Sequence, residues 1–365
     1  MHRARADAIA LICAPWFACL AAVAICGLGS VRSQAQGSSA ASKPPAVQAL
    51  SDLDSSVQAI VRQHHGSVAL FARQLNTGKE LASDADRPVQ TASTIKLALL
   101  WTLLRDVALG KARWDERLTL QPGEPVGGSG VLHFFDTPLT LTLKDVATMM
   151  VIVSDNTATN RLIDRFPAAD VDANMSALGL RNTWLYKKVS KPATGPLPTD
   201  QPKFGLGKTT PREIASLMER IGRCDLDLPG QPRVDQARAN AACKIALDML
   251  RNQFYRDTVP RYLESLDSTE EGSGIASKTG SLNATRSDVA LIAGKSGPIV
   301  IAIYTYDNAD KGWSVDNEGE VTVAKIAKAV VTAWSTQGMD GKLLVPGLGL
   351  RDAAPTPGTA AGGTR

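Results

Sequence analysis

Strand-like and helix-like patterns are segregated along this chain, and their order restricts the fold more than any other feature. Apolar runs typical of strands lie near the start of the body, at 67–75 and 79–83, and again near its end, at 275–281, 286–293 and 298–306. Helical periodicity dominates the stretch between them. The economical arrangement is an α+β fold, with an antiparallel sheet flanked by N- and C-terminal helices and an all-helical lobe inserted between the strands.

Composition sets the boundaries of this body. Residues 36–48 are rich in Ser, Ala, Gly and Pro, which predicts a flexible linker. Residues 349–365, rich in Pro, Gly, Ala and Thr, are predicted to be a disordered tail. We predict one domain over 49–348 between them. Its sheet part and its helical lobe are expected at 49–90 with 270–340, and at 91–269.

The N-terminus has the pattern of an export signal. Arg3 and Arg5 precede an apolar run from about 8 to 28, and Ser33 and Ala35 then lie at the small-residue positions that a signal peptidase accepts. This pattern predicts a signal peptide over 1–35, removed after Ala35, and a periplasmic or secreted protein. The alternative is an uncleaved anchor, since the apolar run is about long enough to span a bilayer. A cleaved chain would have no stable association with a membrane.

Charge and histidine content exclude several classes of function. The net charge is only +4 and forms no basic blocks, which argues against a nucleic-acid partner. The chain has four histidines, none with the spacing of a zinc site. We therefore expect no metal and no cofactor, and we expect a monomer that acts on a small molecule or a peptide.

Two cysteines remain once the signal is removed, Cys224 and Cys243. In an exported protein such a pair is more often a structural disulfide than a metal or redox site. We predict that these two residues are joined.

The first segment that can carry chemistry is Ser93-Thr94-Ile95-Lys96, at the start of a long apolar helix. Positions i and i+3 share one helix face, so the Lys96 amine can reach the Ser93 hydroxyl. A desolvated lysine can act as the base that a weak serine nucleophile needs. On its own the segment is weak evidence, because a serine that caps a helix beside a solvated lysine gives the same pattern.

Two further segments also carry side chains that can act on a substrate. Ser154-Asp155-Asn156 lies between two predicted helices, where its hydroxyl can pass a proton and its amide can hold a carbonyl. Lys278-Thr279-Gly280-Ser281 lies on a predicted strand, where cations and hydroxyls suit a substrate carboxylate. Gly280 is expected to let a substrate backbone approach closely. Capping residues and a solvated strand end are the alternatives for each segment alone.

Together, and in this order, the three segments match the S-x-x-K, S-D-N and K-T-G signature of class A β-lactamases and penicillin-binding proteins. Each lies in the context that the signature requires: a helix start, an interhelical loop and a strand after the helical lobe. From about Ser51 to Trp334 the chain therefore resembles the class A β-lactamase family.

The resemblance implies a catalytic set of Ser93, Lys96, Ser154 and Lys278. Ser93 would form the acyl-enzyme and Lys96 would be its general base or proton relay. Ser154 would pass a proton to the departing nitrogen. Lys278 would bind the substrate carboxylate.

The resemblance also implies a binding set. Asn156 would hold the substrate amide, and Thr279 would help to bind its carboxylate. The backbone N–H groups of Ser93 and Ser281 would form an oxyanion hole. Arg286 resembles the second carboxylate-binding arginine of many relatives.

One part of the family pattern is missing. Class A enzymes carry a glutamate, in a loop after S-D-N, that activates the water hydrolysing the acyl-enzyme. No glutamate occurs here between Asn156 and Glu213, and Glu213 belongs to a capping box that begins at Thr210. Lys191 aligns with the missing acid. Asp170, Asp172 and Asp200 are possible replacements whose spacing does not recommend them.

The sequence therefore predicts a serine hydrolase that opens β-lactams, with slow release of the acyl group. A peptidase or transpeptidase acting on cell-wall peptides that end in D-alanine has the same three motifs. An acylatable penicillin-binding protein with poor turnover is a third possibility. The partner in each case is a small β-lactam or a cell-wall peptide.

Overall fold

The computed structural model describes residues 45–193, 195, 197–263 and 273–348, with side chains from residue 52 onward. The predicted signal peptide and tail lie outside these residues. The helices are α1 Pro45–Gln63, α2 Lys96–Ala108, α3 Leu143–Ile152, α4 Asn156–Arg165, α5 Ala168–Ala177, α6 Gln201–Phe204, α7 Pro211–Arg223, α8 Gln236–Arg251 and α9 Glu318–Trp334. The strands are β1 Ser67–Gln74, β2 Glu80–Ser83, β3 Val89–Gln90, β4 Arg117–Leu120, β5 Leu139–Thr142, β6 Trp184–Leu185, β7 Gly207–Thr209, β8 Ile275–Leu282, β9 Thr285–Ile292 and β10 Ile299–Tyr306.

The main sheet joins strands from the two ends of the body. Its order is β2-β1-β10-β9-β8, every pair is antiparallel, and β8 lies at one edge. Residues of β9 are buried on both faces of the sheet. Val289 and Leu291 pack with the inserted segment, whereas Ala290 and Ile292 pack in the core that holds α9 and the end of α1. The α+β prediction is confirmed.

The inserted segment is built around α2, whose residues are buried on nearly every face. This burial explains why the sequence of α2 shows no polar stripe. The segment is not made of helices alone. It also contributes to two small antiparallel sheets, one ordered β3-β7-β6 and one pairing β4 with β5. Strands of two to four residues leave no periodic pattern in a sequence, so these sheets were not predicted.

The start of α7 was predicted correctly, but not all of its capping contacts. Thr210 is the N-cap, and its side chain accepts a hydrogen bond from the Glu213 backbone N–H at 3.2 Å. The Glu213 carboxylate does not return to Thr210. It accepts hydrogen bonds from the Asn182 N–H and the Thr183 hydroxyl, at 3.0 and 2.8 Å. Glu213 therefore fixes the segment before β6.

The N-terminal helix begins earlier than the sequence indicated. α1 starts at Pro45, inside the predicted linker and before the expected boundary at residue 49. Proline is favoured in the first turn of a helix, which explains this start. Within the part of the chain that the structure describes, no helix is long and apolar enough to cross a membrane.

A disulfide joins Cys224, at the end of α7, to Cys243 in α8. Replacing both residues by serine should lower the free energy of unfolding by about 3 kcal/mol, because the bond restricts the unfolded chain over a 19-residue separation. Urea unfolding of the variant and of the oxidised protein measures the difference. Identical midpoints for the two proteins would contradict a stabilising role.

Candidate active site

Ser93 lies in a short 3-10 turn, Ala92–Ile95, directly before α2. The turn is pressed against the edge strand β8 at Gly280. A Cβ atom at this glycine would lie 2.7 Å from the Thr91 carbonyl oxygen and 3.1 Å from the Ser93 backbone nitrogen. A glycine is thus required by the approach of the protein's own turn, a reason that the sequence did not indicate. It brings the Ser93 N–H beside β8.

Ser154 lies between α3 and α4 with a positive φ of 54°. The next residue, Asp155, caps α4 by accepting a hydrogen bond from the Ala158 N–H at 2.8 Å. Its other carboxylate oxygen accepts hydrogen bonds from the Val131 and Leu132 N–H groups at 2.6 and 2.8 Å. Asp155 therefore holds the preceding loop against the S-D-N element, a role that the motif alone did not indicate.

Two buried lysines converge on the Ser154 hydroxyl. Lys96 Nζ donates to Ser154 Oγ at 3.0 Å, and Lys278 Nζ donates to the same oxygen at 3.1 Å. Lys96 also donates to the Ser154 carbonyl at 2.7 Å and to Asn156 Oδ1 at 3.2 Å. Among the described residues, Ser93 Oγ has no hydrogen bond to Lys96. The structure thus links Lys96, Ser154, Asn156 and Lys278, and leaves the Ser93 hydroxyl free.

Burial lowers the pKa of both lysines, and the charge of Lys278 acts on Lys96 as well. Burial lowers the pKa of Lys96 well below its ordinary value, and the nearby Lys278 charge lowers it further, while Asp155 acts in the opposite direction. Burial lowers the pKa of Lys278 to about 7, although Asp288 favours its charged form. Only the neutral amine can accept a proton, and the lowered pKa of Lys96 favours that form, so Lys96 is suited to be a general base.

Asp288 is the buried carboxylate behind Lys278, and the motifs did not indicate its role. It pairs with Thr279 across β8 and β9, and its Oδ2 accepts a hydrogen bond from the Thr258 hydroxyl at 2.7 Å. Burial raises the pKa of Asp288 to about 6. A carboxylate ionised near neutral pH beside Lys278 helps to keep that lysine charged.

Ser93 and Ser154 open into one cleft with a volume of about 570 Å³. Thr279, Gly280 and Ser281 also line it, as the sequence predicted. The remaining lining residues come from segments distant in sequence and carry no motif: Gly128, Ser129, Tyr255, Asp257, Thr258, Trp313, Ser314 and Val315 in loops, and Glu320 at the start of α9. They could not be recognised without the fold.

Arg286 does not line this cleft. Its side chain is fully buried, and Nε donates to Glu320 Oε1 at 3.1 Å. The terminal nitrogens donate to the carbonyl oxygens of Leu282, Thr285 and Gly312. All of these donors are engaged within the protein. Arg286 therefore holds neighbouring segments together and is not exposed to a substrate carboxylate.

The residues considered as substitutes for the missing acid also lie outside the cleft. Lys191 lines a separate cavity of about 100 Å³ with Glu124 and Asp164. Asp172 accepts a hydrogen bond from the Leu185 N–H at 2.7 Å, and Asp200 pairs with Lys208 at 2.7 Å. None of these groups, nor Asp170, is brought to Ser93.

Asp172 has a separate consequence for stability. Burial raises its pKa from 3.8 to about 7, so between about pH 4 and 7 the folded state keeps a proton that the unfolded state has released. Its contribution to stability therefore falls as the pH rises through this window. Asp172→Asn removes the titration and keeps an acceptor for Leu185. The variant should gain about 2 to 4 kcal/mol relative to wild type between pH 4.5 and 7.5. Denaturant unfolding at both pH values measures this gain, and a difference independent of pH would contradict it.

No group of three or more His, Cys, Asp and Glu side chains is placed to hold a metal ion within the described ranges.

Comparison with known proteins agrees with this geometry. Residues 52–334 match the model of the beta-lactamase enzyme family. A beta-lactamase from Sphaerobacter thermophilus is 28% identical, with a TM-score of 0.63 over 77% of this chain and 98% of that one. A structure of PBP-A is 26% identical, with a TM-score of 0.62 over 79% and 97%.

A shorter match involves a beta-lactamase regulatory protein, BlaB, from Streptomyces cacaoi. It is 30% identical over 122 residues, which are 33% of this chain and 39% of that protein. The chain therefore spans well under half of this relative. The family model, in contrast, covers most of the chain, from α1 to the end of α9. The match to the family model and the agreement in fold show that the chain belongs to the beta-lactamase enzyme family.

Proposed function

We propose that this chain is a serine acyl-transfer enzyme that opens β-lactams or related amides by forming an acyl-enzyme on Ser93. The observation that carries the proposal is the Ser154 hydroxyl, which accepts hydrogen bonds from both Lys96 and Lys278 beside a cleft lined by Ser93. Two lysine side chains on one hydroxyl can pass protons to it and from it, which a structural cap does not need.

Acylation begins with transfer of the Ser93 proton. The neutral Lys96 amine accepts this proton as Ser93 Oγ forms a bond to the substrate carbonyl carbon. Negative charge then develops on the carbonyl oxygen. The backbone N–H groups of Ser93 and Ser281 are proposed to stabilise it. The contact of Gly280 with the 3-10 turn supports this role, because it places the Ser93 nitrogen beside β8.

Breakage of the carbon–nitrogen bond requires a proton on the leaving nitrogen. Because Ser154 Oγ accepts from two lysines, its own hydrogen is available to be donated into the cleft. Ser154 gives this proton to the nitrogen and recovers one from the Lys96 ammonium group. The amine is then neutral again, and the acyl group remains on Ser93.

Substrate binding is proposed to use Lys278, Thr279 and Asn156. A substrate carboxylate near Lys278 would favour its ammonium form and raise the pKa from about 7. Asn156 Oδ1 accepts from Lys96, and its amide nitrogen donates to the Gly127 carbonyl at 3.1 Å. Its orientation is thereby fixed toward the relay.

Hydrolysis of the acyl-enzyme is proposed to be slow. Among the residues that the structure describes, the carboxylates that line the cleft are Asp257 and Glu320, and Glu320 is paired with Arg286 at 3.1 Å. No glutamate lies in the chain between Asn156 and Glu213. A related structure is described as an acyl-enzyme complex of a PBP-A mutant with penicillin G, which supports acylation in proteins of this fold.

A peptidase or transpeptidase of cell-wall peptides is the second candidate. The absence of a glutamate between Asn156 and Glu213 also favours this candidate. Without that base the acyl group would persist on Ser93, and it could then be transferred to an amine instead of water. The similarity to PBP-A, at 26% identity, supports it. The predicted signal peptide would place either enzyme in the periplasm or outside the cell.

A burst experiment with a chromogenic cephalosporin tests the proposal and separates the candidates. We expect a burst equal to the enzyme concentration and then a slow phase, since general-base assistance contributes about 10²- to 10⁴-fold to rate. Release of D-alanine from a peptide ending in D-Ala-D-Ala would establish the second candidate. Steady hydrolysis without a burst would contradict only the slow release of the acyl group. Absence of any cephalosporin opening and of peptide cleavage would overturn the acyl-enzyme proposal.

A further inference from the structure

Among the described residues, two charged side chains line the catalytic cleft, and both are acidic: Asp257 and Glu320. Lys96 and Lys278 are buried and do not line it. Glu320 is engaged by Arg286, whose Nε lies 3.1 Å from its Oε1. The Asp257 carboxylate, in contrast, has no hydrogen bond or ion pair with any described residue, and it is partly exposed. The cleft therefore presents an unpaired negative charge that the proposed acyl transfer does not use.

The position of Asp257 along the cleft is fixed by its neighbour Thr258. The Thr258 hydroxyl donates to Asp288 Oδ2 at 2.7 Å. Asp288 is the buried carboxylate behind Lys278, and it pairs with Thr279 across β8 and β9. Asp257 thus lies at the end of the cleft where a substrate carboxylate is proposed to bind.

The loop that carries Trp313 is tied to the segment that carries Asp257. Arg261, four residues after Asp257, donates to the Val315 carbonyl oxygen. The Arg286 guanidinium lies 4.4 Å from the centre of the Trp313 ring, which is 67% exposed. These contacts hold the ring and the free carboxylate in one wall of the cleft.

The electrostatics of this wall favour a cation. Burial raises the pKa of Glu320, Arg286 lowers it, and the nearby Asp257 charge raises it again, so the two carboxylates repel each other. A positive charge between them would relieve this repulsion. Tyr255 and Trp313 line the same cleft, and aromatic rings attract cations. The wall therefore suits a flat or compact cationic group.

We propose that Asp257 is a specificity-determining residue, which selects substrates that carry a positive charge beside the carboxylate held at Lys278. The substrate class is zwitterionic β-lactams and related amides, in which an ammonium or pyridinium group neighbours the carboxylate. A second negative charge at this position would meet an unpaired carboxylate and be disfavoured. The inference rests on the proposed acylation of Ser93, and it names the substrates that this reaction prefers.

Two cephalosporins test the selection. Cephaloridine and cephalothin share one thienylacetyl side chain and one ring carboxylate. Beside that carboxylate, cephaloridine carries a pyridinium group and cephalothin a neutral acetoxy group. The measurement is the second-order rate of β-lactam opening, followed by absorbance with the enzyme in excess. The ratio of the two rates, cephaloridine over cephalothin, is compared between proteins, because the intrinsic reactivities then cancel. In Asp257→Asn we expect this ratio to fall by about fivefold, as for a partly exposed ion pair.

Two control variants and one measurement on wild type accompany this test. Asp257→Glu keeps the charge and should retain most of the wild-type ratio. Asp248→Asn removes a carboxylate on α8, outside the cleft, and should retain all of it. In wild type the ratio should fall as the salt concentration rises from about 0.01 to 1 M, because salt screens the attraction. This last measurement needs no substitution to fold.

The outcomes distinguish the selection from the proposed function. If wild type opens neither cephalosporin, acylation itself is wrong. If wild type opens both and the ratio is the same in Asp257→Asn, acylation stands and the selection is refuted. Equal slowing of both compounds in Asp257→Asn would show that Asp257 only supports the structure. A wild-type ratio that does not change with salt also contradicts the selection.

Discussion

Replacing Lys96 by methionine is expected to slow acylation of Ser93 by about 10²- to 10⁴-fold, the usual contribution of a general base. Methionine has a similar length and fills the buried site without an amine. Ser154 Oγ would keep the hydrogen bond from Lys278 and lose the one from Lys96. The measurement is the rate of adduct formation with benzylpenicillin.

The variant Lys96→Arg separates proton transfer from charge. A guanidinium stays protonated at any accessible pH and cannot accept the Ser93 proton, yet it retains positive charge. We expect it to be as slow as the methionine variant. Recovery of most of the wild-type rate by arginine would show that Lys96 acts through its charge alone. Lys244→Ala, which removes an exposed lysine on α8, should react like wild type.

Replacing Asp155 by alanine should have the largest effect on stability, a loss of about 3 to 5 kcal/mol. The carboxylate accepts hydrogen bonds from the Val131, Leu132 and Ala158 N–H groups, and it is almost fully buried. Leaving buried donors without partners costs about 1 to 3 kcal/mol each. Urea unfolding measures the loss, and acylation should slow as well because the S-D-N element is released from its loop.

Asp235→Ala is a matched control for this prediction. Asp235 also caps a helix, and its carboxylate accepts from the Arg238 N–H at 2.8 Å. The residue is exposed, and its carboxylate accepts no other hydrogen bond among the described residues. Its loss should cost about 1 kcal/mol. An equal cost at both positions would show that the Asp155 contacts to the loop contribute nothing.

The parts of the fold and site that could be predicted are those determined by local sequence. Runs of apolar residues, and their alternation with polar residues, located β8, β9 and β10. The proline after Thr210 marked the start of α7. The three motifs found Ser93, Ser154 and Lys278 because residues within each motif are neighbours on one turn or strand. The order of the motifs then indicated the family.

The parts that could not be predicted depend on contacts between distant segments. Arg286 lies on a strand at the expected place, but its burial under Trp313 is decided by a loop about 26 residues away. Lys191 follows Asn156 at a suitable spacing, yet the chain between them carries it into a different cavity. Gly280 was assigned to substrate access because the packing of the Ser93 turn on β8 has no local signature.

The measurement that tests the account most directly is the mass and position of the covalent adduct formed with benzylpenicillin. Intact-protein mass spectrometry should show one added penicillin per chain, and peptide mapping should place it on Ser93. The variant Ser93→Ala should form no adduct under the same conditions. An adduct of undiminished intensity in Ser93→Ala, or one mapped to another residue in wild type, would contradict the account.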